Sequence, residues 1–427
     1  MNEDFLHYIW KFGLFDLTNL KTTAGDDVTV IQRGGHNPNA GPDFFNARVK
    51  IGDTTWAGNV EIHTRASDWQ RHNHSTDDAY KNIILHVVFD DDKPLADALN
   101  NPVATIELKG RIDLKFYNTY KTFTDAKGWI PCESSLPRVD PFIMESWLER
   151  LAIERLERKS TAVLDVLAAN KGNWQETFYQ LIAANFGFKV NAEPFALLAR
   201  SIPENLLARQ KNSDLQIEAM LFGVAGLLES EFVDEYPNKL KAEFKFLKAK
   251  YTLPTLPGHI WKFSRMRPDN FPTIRIAQFA ALIINSNGLF AKMLDTKRTA
   301  ALKGFFDVKA SAYWDTHYVF DKPSAEKPKH MGASSVNNII INSIVPTLFA
   351  YGIERNERYS KERALSLLAK TEPESNVIVK GWQGLNVAMN SAQQTQAAIE
   401  LKNMYCDAKK CLFCSVGTHL LKNGKRI

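Results

Sequence analysis

The sequence predicts an α+β chain, with a strand-rich N-terminal part over residues 1–130, a linker over 131–140 and a mostly helical part over 141–427. Three observations lead there. Short segments before residue 115 either alternate apolar and polar residues or run apolar for about eight positions, as strands buried on one face or on both do. From Pro141 the period lengthens: Met144, Trp147, Leu148 and Leu151 take the i, i+3, i+4, i+7 spacing of one helix face. Between the two lies CESSLPRVDP, rich in residues that interrupt both kinds of element.

In chain order, FLHYIWKFGLF (5–15) spaces its apolar residues like a short amphipathic helix. DVTVIQ (27–32) reads as a strand and GGHNPNAGP (34–42) as a loop of turn residues. DFFNARVKI follows as a half-buried strand, with Phe45, Ala47, Val49 and Ile51 on one face and Asn46, Arg48 and Lys50 on the other. Gly52-Asp53 supplies a hairpin turn and TTWAGNVEIH the returning strand. SDWQRHNHSTDDAYK (67–81) is a polar loop or helix. NIILHVVF (82–89) is a strand buried on both faces, and VATIELKGRIDL (103–114) adds strand character. Further helices are expected over 173–187, 192–201, 214–229, 272–286, 337–351 and 376–405, with FDKPSAEKPKHMG (320–332) as an exposed loop.

Composition narrows the functional classes. With 44% apolar and 24% charged residues the chain is globular, not disordered. The most apolar stretch, NNIIINSIVPTLFAYG, is broken by Asn342, Ser343 and Pro346, so no membrane contact is expected. The acidic N-terminus MNEDFLHYIW lacks the pattern of a secretory signal. Four cysteines, three clustered near the C-terminus, do not form a secreted disulfide framework, and a cytoplasmic protein is expected. Phosphate-cradling and dinucleotide-binding glycine motifs are missing. Residues 1–130 hold 14 Lys+Arg against 18 Asp+Glu and six of the ten histidines, whereas the remainder is basic. That asymmetry suits metal chemistry in front and polyanion contact behind.

The chemistry concentrates in one hairpin. Side chains alternate along a strand, so Glu61 and His63 share a face. A hairpin pairing the two strands brings Asp43 beside Glu61, and two adjacent carboxylates repel unless a cation lies between them. Oxygen ligands of this kind suit Mg²⁺ or Mn²⁺, which can activate water and stabilise charge on a phosphate oxygen.

Pro42-Asp43 followed by Glu61-Ile62-His63 resembles the PD-(D/E)xK nuclease signature, with His63 where that superfamily usually has lysine. The resemblance implies a restriction-endonuclease-like α/β domain that hydrolyses phosphodiester bonds of DNA or RNA. Asp43, Glu61 and the Ile62 carbonyl would bind Mg²⁺ or Mn²⁺, and His63 would orient or deprotonate the attacking water. His72 or His74 would assist at the scissile phosphate. A histidine there is only partly charged near neutrality and stabilises a developing anion less well than lysine. Over its whole length the chain resembles a family of uncharacterised bacterial proteins, DUF2851, through GPDFFNARV, GNVEIH, SDWQRHNH, DDAY, NIILHVV, RMRPDNFPTIRIAQ and CDAKKCLFCSVG.

Two other readings fit the same residues. His63, His72 and His74 with Asp78 can form a transition-metal site, hence a zinc-dependent hydrolase. Alternatively the site is degenerate and the protein binds nucleic acid or acts as a scaffold. His86, inside an apolar run, reads as a core histidine, and His36 adjoins the site.

Cys406, Cys411 and Cys414 have the spacing of a structural metal site, zinc ahead of an iron–sulfur cluster. The fourth ligand is Cys132 or His419. The one-plus-three cysteine layout is similar to the iron–sulfur staple of certain recombination and CRISPR-associated nucleases. In HIWKFSRMRPDNFPTIRIAQ, Arg265, Arg267 and Arg275 precede or open a helix, where they can hold phosphates or pair with acids.

Overall fold

The first helix shows how local signals set the frame. In a computed structural model that describes residues 1–72, 74, 77–94, 103–286 and 288–423, α1 spans Glu3–Phe12. Asn2 caps it by accepting from the Phe5 N–H, Glu3 and Asp4 sit in its positive first turn, and Gly13 ends it in the left-handed region. It buries Phe5, Leu6, Tyr8, Ile9 and Trp10, which leaves Glu3 and His7 on a more exposed side.

The chain is α+β, and its contacts divide it into two units: Met1–Met144 with Asn403–Ile427, and Glu145–Lys402. The first unit holds a six-stranded mixed sheet in the order β1-β3-β4-β5-β6, with β2 also paired to β3. The strands are β1 Val28–Gln32, β2 Gly35–His36, β3 Phe44–Ile51, β4 Thr54–Arg65, β5 Ile83–Asp90 and β6 Thr105–Glu107. β1, β2 and β4 run antiparallel to β3, whereas β4 and β5, and β5 and β6, are parallel. A short helix, α2 (Asp68–Arg71), and a 3₁₀ turn (Asp78–Tyr80) carry the crossover from β4 to β5. After β6 come α3 (Leu114–Asp125), a 3₁₀ turn (Glu133–Arg138) within the expected linker, and α4 (Pro141–Ala169). The segment 403–427, which carries three cysteines, belongs to this unit and not to the helices preceding it.

Several elements differ from expectation for identifiable reasons. Register shifts between Phe44 and Ala47, where Asn46 takes φ +58, and this bulge reverses the phase of alternation. Phe44 is therefore buried and Phe45 is 38% exposed, opposite to the periodic reading. The strand expected over 103–114 stops at Glu107, because Gly110 turns the chain and Asp113 caps α3 by accepting from the Lys115 N–H. The helix expected over 376–405 is two helices, Val377–Gly384 and Ala392–Glu400, the second capped by Ser391 and continued by a π-helical turn, Leu401–Cys406.

The second unit is largely helical around a core that includes Phe178, Phe186, Phe195, Phe222, Phe279 and Leu348. Its most apolar run, Ala333–Glu354, is long and apolar enough to cross a membrane by length and composition, and most of it is buried within the unit.

Candidate metal centre on the N-terminal sheet

Along β4 the residues Val60, Glu61, Ile62 and His63 are all buried. Alternation sets Val60 and Ile62 against one side of the sheet and Glu61 and His63 on the other. The pairing of Phe44 with Val60 brings Asp43 opposite Glu61. The two then lock reciprocally: the Asp43 N–H donates to Glu61 Oε2 (3.1 Å), and the Ile62 N–H donates to Asp43 Oδ2 (2.9 Å). The loop before Asp43 is braced by Asn37, whose side chain donates to the Ala40 and Pro42 carbonyls. Gly34 passes so close to β3 that a Cβ there would lie 2.7 Å from the Phe45 carbonyl oxygen.

Asp68 delivers the next two histidines. It is buried at the end of β4, accepts from the Thr64 hydroxyl (2.9 Å) and the Arg65 N–H (3.1 Å), and pairs with Arg71 (2.9 Å). The α2 turn so anchored leads to His72, whose N–H donates to the Asp68 carbonyl (2.9 Å), and on to His74. Trp69 packs its ring 5.3–6.3 Å from those of His63, His74 and His86, and Tyr80 stacks on His74 at 3.8 Å.

The result is a tight set of donor atoms. One ligand atom from each of His63, His72 and His74 lies within 4.8 Å of the others. His63 Nε2 stands 3.2 Å from His72 Nδ1 and 3.7 Å from Glu61 Oε1, and Glu61 Oε1 stands 3.3 Å from His74 Nε2. A tetrahedral ion with ligand bonds of roughly 2.0–2.1 Å separates its donors by roughly 3.3–3.4 Å. The three imidazoles are therefore close enough together to be candidate ligands of a transition-metal ion, with Glu61 beside two of them. The other nitrogen of His63, Nδ1, lies 2.8 Å from Nε2 of the fully buried His86, which orients the ring.

Electrostatics agree with the geometry. Burial, reinforced by the Asp43 charge, pushes the Glu61 carboxyl up to about 9. Burial and the neighbouring imidazoles hold His63 down to about 2, and burial holds His86 down to about 3. His74 is also lowered, mainly by burial. Burial thus favours the neutral form of His63, His74 and His86, the form in which an imidazole ligates, while Glu61 ionises readily only beside a cation.

Asp43, Glu61, His63, His72 and His74 all meet at this site. Ile62 contributes its N–H to Asp43 and buries its side chain on the opposite face. Asp78 does not join the cluster: it is largely exposed and pairs with Lys81 (2.7 Å). Glu61 supplies the carboxylate beside the three histidines instead. Two residues of α1 went unnoticed in the sequence. His7 Nε2 lies 3.1 Å from Asp43 Oδ2 and its ring 5.7 Å from that of His36, while Glu3, raised by burial, feels the charges of His72, His7 and Asp43. Their i, i+4 spacing on an otherwise apolar helix was the available signal. The cluster meets solvent at His72, which is exposed, and at Asp43 and His7, each with 19% of its side chain accessible.

In the second unit Arg265 and Arg267 are exposed. Arg275 is 4% exposed, donates to Asn270, Gln278 and Ser335, and lies over the Phe188 ring, so its guanidinium is engaged internally. Cys132, Cys411 and Cys414 are buried and Cys406 partly so, none in a disulfide. His419 turns to Asn423.

Among known proteins, a family model described as protein of unknown function (DUF2851) matches residues 3–377, which includes every residue of the histidine cluster. No curated protein and no solved structure matches the chain.

Proposed function

We propose that this chain, which belongs to the DUF2851 family, is a metal-dependent hydrolase whose site is the His63, His72, His74 and Glu61 cluster, with phosphodiester bonds of nucleic acid as its substrate class. One observation carries the reading: a ligand atom from each of His63, His72 and His74 lies within 4.8 Å of the others, with Glu61 Oε1 beside them at 3.3 Å from His74 Nε2 and 3.7 Å from His63 Nε2. Three imidazole nitrogens favour a transition metal such as zinc over magnesium, which prefers oxygen ligands. The substrate class rests on Pro42-Asp43 just before β3 and Glu61-Ile62-His63 on the neighbouring β4, an arrangement similar to the PD-(D/E)xK signature.

Each side chain then has a task. His63, His72 and His74 hold the ion, which when bound supplies a Lewis acid for water and for a phosphate oxygen. Glu61, with Oε2 tethered to the Asp43 N–H, keeps Oε1 toward the histidines and accepts the proton of the attacking water. Asp43 is the positioning residue for Glu61 and is steadied by the Ile62 N–H and His7. His86 orients the His63 ring. Trp69 and Tyr80 keep bulk water from the buried side.

The test is nuclease activity of the full chain on plasmid, single-stranded DNA and RNA with Zn²⁺, Mn²⁺ or Mg²⁺ after removal of resident metal. Cleavage that depends on Zn²⁺ or Mn²⁺ and is lost in His72→Ala supports the reading. Cleavage restored best by Mg²⁺, retained in His72→Ala and lost in Asp43→Ala supports a two-carboxylate site at Asp43 and Glu61. Nucleic-acid binding without cleavage under every condition leaves a degenerate site on a binding protein.

A further inference from the structure

A basic pocket lies within the second unit, and none of its residues belongs to the histidine cluster. It forms where the helix Leu289–Asp295 gives way to the short helix Thr299–Gly304, against the helix Arg358–Lys370. Its wall encloses about 290 Å³ of space open to solvent and includes Lys297, Arg298, Arg363 and Lys370, with no carboxylate among the described residues. Leu302 and Leu367 of the same wall are buried in the core of the unit.

The four cations have two different jobs. Arg363 is partly buried and already engaged: Nη1 donates to the Leu294 carbonyl (2.7 Å), and Nη2 donates to the Met293 carbonyl (2.6 Å) and to that of Thr296. It thereby satisfies carbonyls at the C-terminal end of the helix Leu289–Asp295 and fixes the path of the chain through Thr296. Lys297 and Arg298 follow directly and line the pocket from this braced turn, while Lys370 lines it from the end of the facing helix. These three are exposed, and among the described residues none of them forms an ion pair. The nearby acids lie outside the wall: Glu362 pairs with Arg358 (2.6 Å), and Asp295 is exposed, within electrostatic reach of Arg363. Like charges that line one pocket repel one another, and an anion between them removes the repulsion.

Hydroxyls complete the wall. Thr296, Thr299 and Ser366 line the same space, and among the described residues none of their hydroxyls has a protein partner. Elsewhere such groups turn back onto helix carbonyls, as those of Thr119 and Thr347 do. We infer that this pocket binds a phosphomonoester, the phosphoryl group of a nucleotide or of a phosphorylated strand end. Such a group carries about −1.5 to −2 charges near neutral pH and three strong acceptor oxygens, which suits three unpaired cations and three unpartnered hydroxyls. A carboxylate offers one charge and two oxygens. An internal phosphodiester also carries one charge, and its two ester bonds leave fewer oxygens free to enter a concave wall. The inference needs neither the metal site nor hydrolysis.

The experiment is calorimetric titration of the full chain, with a chelator present so that strands stay intact. The probes are inorganic phosphate, a 5′-mononucleotide, its nucleoside, and one single-stranded oligonucleotide with and without a terminal phosphate. Phosphate and nucleotide are expected to compete for one site that the nucleoside does not occupy. Lys297→Ala/Arg298→Ala should weaken nucleotide binding roughly tenfold and Lys370→Ala roughly threefold, whereas Lys245→Ala, an exposed lysine outside the wall, should leave it unchanged. Because the replaced side chains are exposed, each variant should melt as the parent does. Tighter binding of the phosphorylated strand than of both the unphosphorylated strand and the mononucleotide assigns the phosphate to a nucleic-acid end. Equal binding of nucleotide and phosphorylated strand assigns the pocket to phosphate esters in general. The inference is overturned by absence of saturable nucleotide binding, by binding that survives both sets of pocket variants, or by losses no larger than Lys245→Ala produces.

Discussion

Glu400 of the second unit and Glu61 of the first are both buried carboxylates, and the two are treated in opposite ways. In the second unit Glu400 is 1% exposed and lies between two arginines, accepting from Arg155 Nη1 (2.9 Å) and from Arg158 Nε (3.0 Å) and Nη2 (2.6 Å). Burial alone would raise its carboxyl, but the arginine hydrogen bonds outweigh it and hold the group below the usual range. In the first unit Glu61 is 4% exposed and has no such partner. Its neighbours are a second carboxylate and imidazoles held neutral by burial, and its carboxyl rises to about 9. A carboxylate surrounded by arginines is satisfied within the protein. One surrounded by neutral imidazoles and another acid stays protonated unless a cation comes beside it. The contrast separates a structural ion pair from a site more clearly than burial does, because both groups are buried.

The sharpest way to break the comparison is Glu61→Gln. The amide keeps the shape and can still accept from the Asp43 N–H, but it cannot take a proton. Cleavage is expected to fall by roughly 10²–10⁴-fold, with thermal stability of the metal-free protein unchanged or slightly higher. A stability loss in Glu61→Gln resembling that of an ion-pair deletion would show that Glu61 is structural after all. Glu400→Ala is the counterpart. It strands Arg155, while Arg158, half exposed, regains water, so the loss is expected near the lower end of the range for broken buried pairs, roughly 3 kcal/mol by denaturant unfolding. The specific activity of the remaining folded protein should not change.

A smaller effect tests the support behind the ligands. His86→Leu preserves volume approximately but removes the 2.8 Å contact that orients His63. Metal affinity is expected to weaken roughly 10–100-fold by titration against a competing chelator, the usual effect of losing a group that orients a ligand. Unchanged affinity would mean that His86 is only a core residue.

The reach of the sequence follows the range of the interactions. The hairpin with Asp43, Glu61 and His63 was legible because period-two alternation and the Gly52 turn act over a few residues. The bulge at Asn46 was not, since it is a property of the pairing with β4 and leaves no mark in the sequence except the residue's tolerance of positive φ. His86 was read as core, and it is core. Its second role depends on the parallel register that sets it beside Glu61 through a crossover, which the sequence does not encode locally. Glu3 and His7 reach the site only because α1 docks there, a tertiary event. The single helix expected over 376–405 overlooks a break that Asn386, at φ +59, and the Ser391 cap signal.

The finest test of the contrast is its dependence on pH. In the metal-free protein Glu61 has a native pKa near 9 and an unfolded one near 4.5, so the native state holds the extra proton and this group's contribution is full below about 4.5 and lost as pH rises through 9. His63 acts in the opposite sense. Its native pKa of about 2 lies below 6.5, so its contribution declines as pH falls beneath 6.5. In the proposed site a cation on the neutral imidazoles would favour the ionised form of Glu61 beside it, and would therefore restore at alkaline pH what Glu61 loses. The rise in melting temperature on adding Zn²⁺ or Mn²⁺ should accordingly be larger at pH 8 than at pH 6, by a few degrees, and Glu61→Gln should remove most of the difference. Glu400, already ionised and paired with arginine, should contribute nothing to it. A metal-induced rise that is the same at both pH values, or that survives Glu61→Gln, would mean the ion is held elsewhere, and the distinction between the two buried carboxylates would lose its functional meaning.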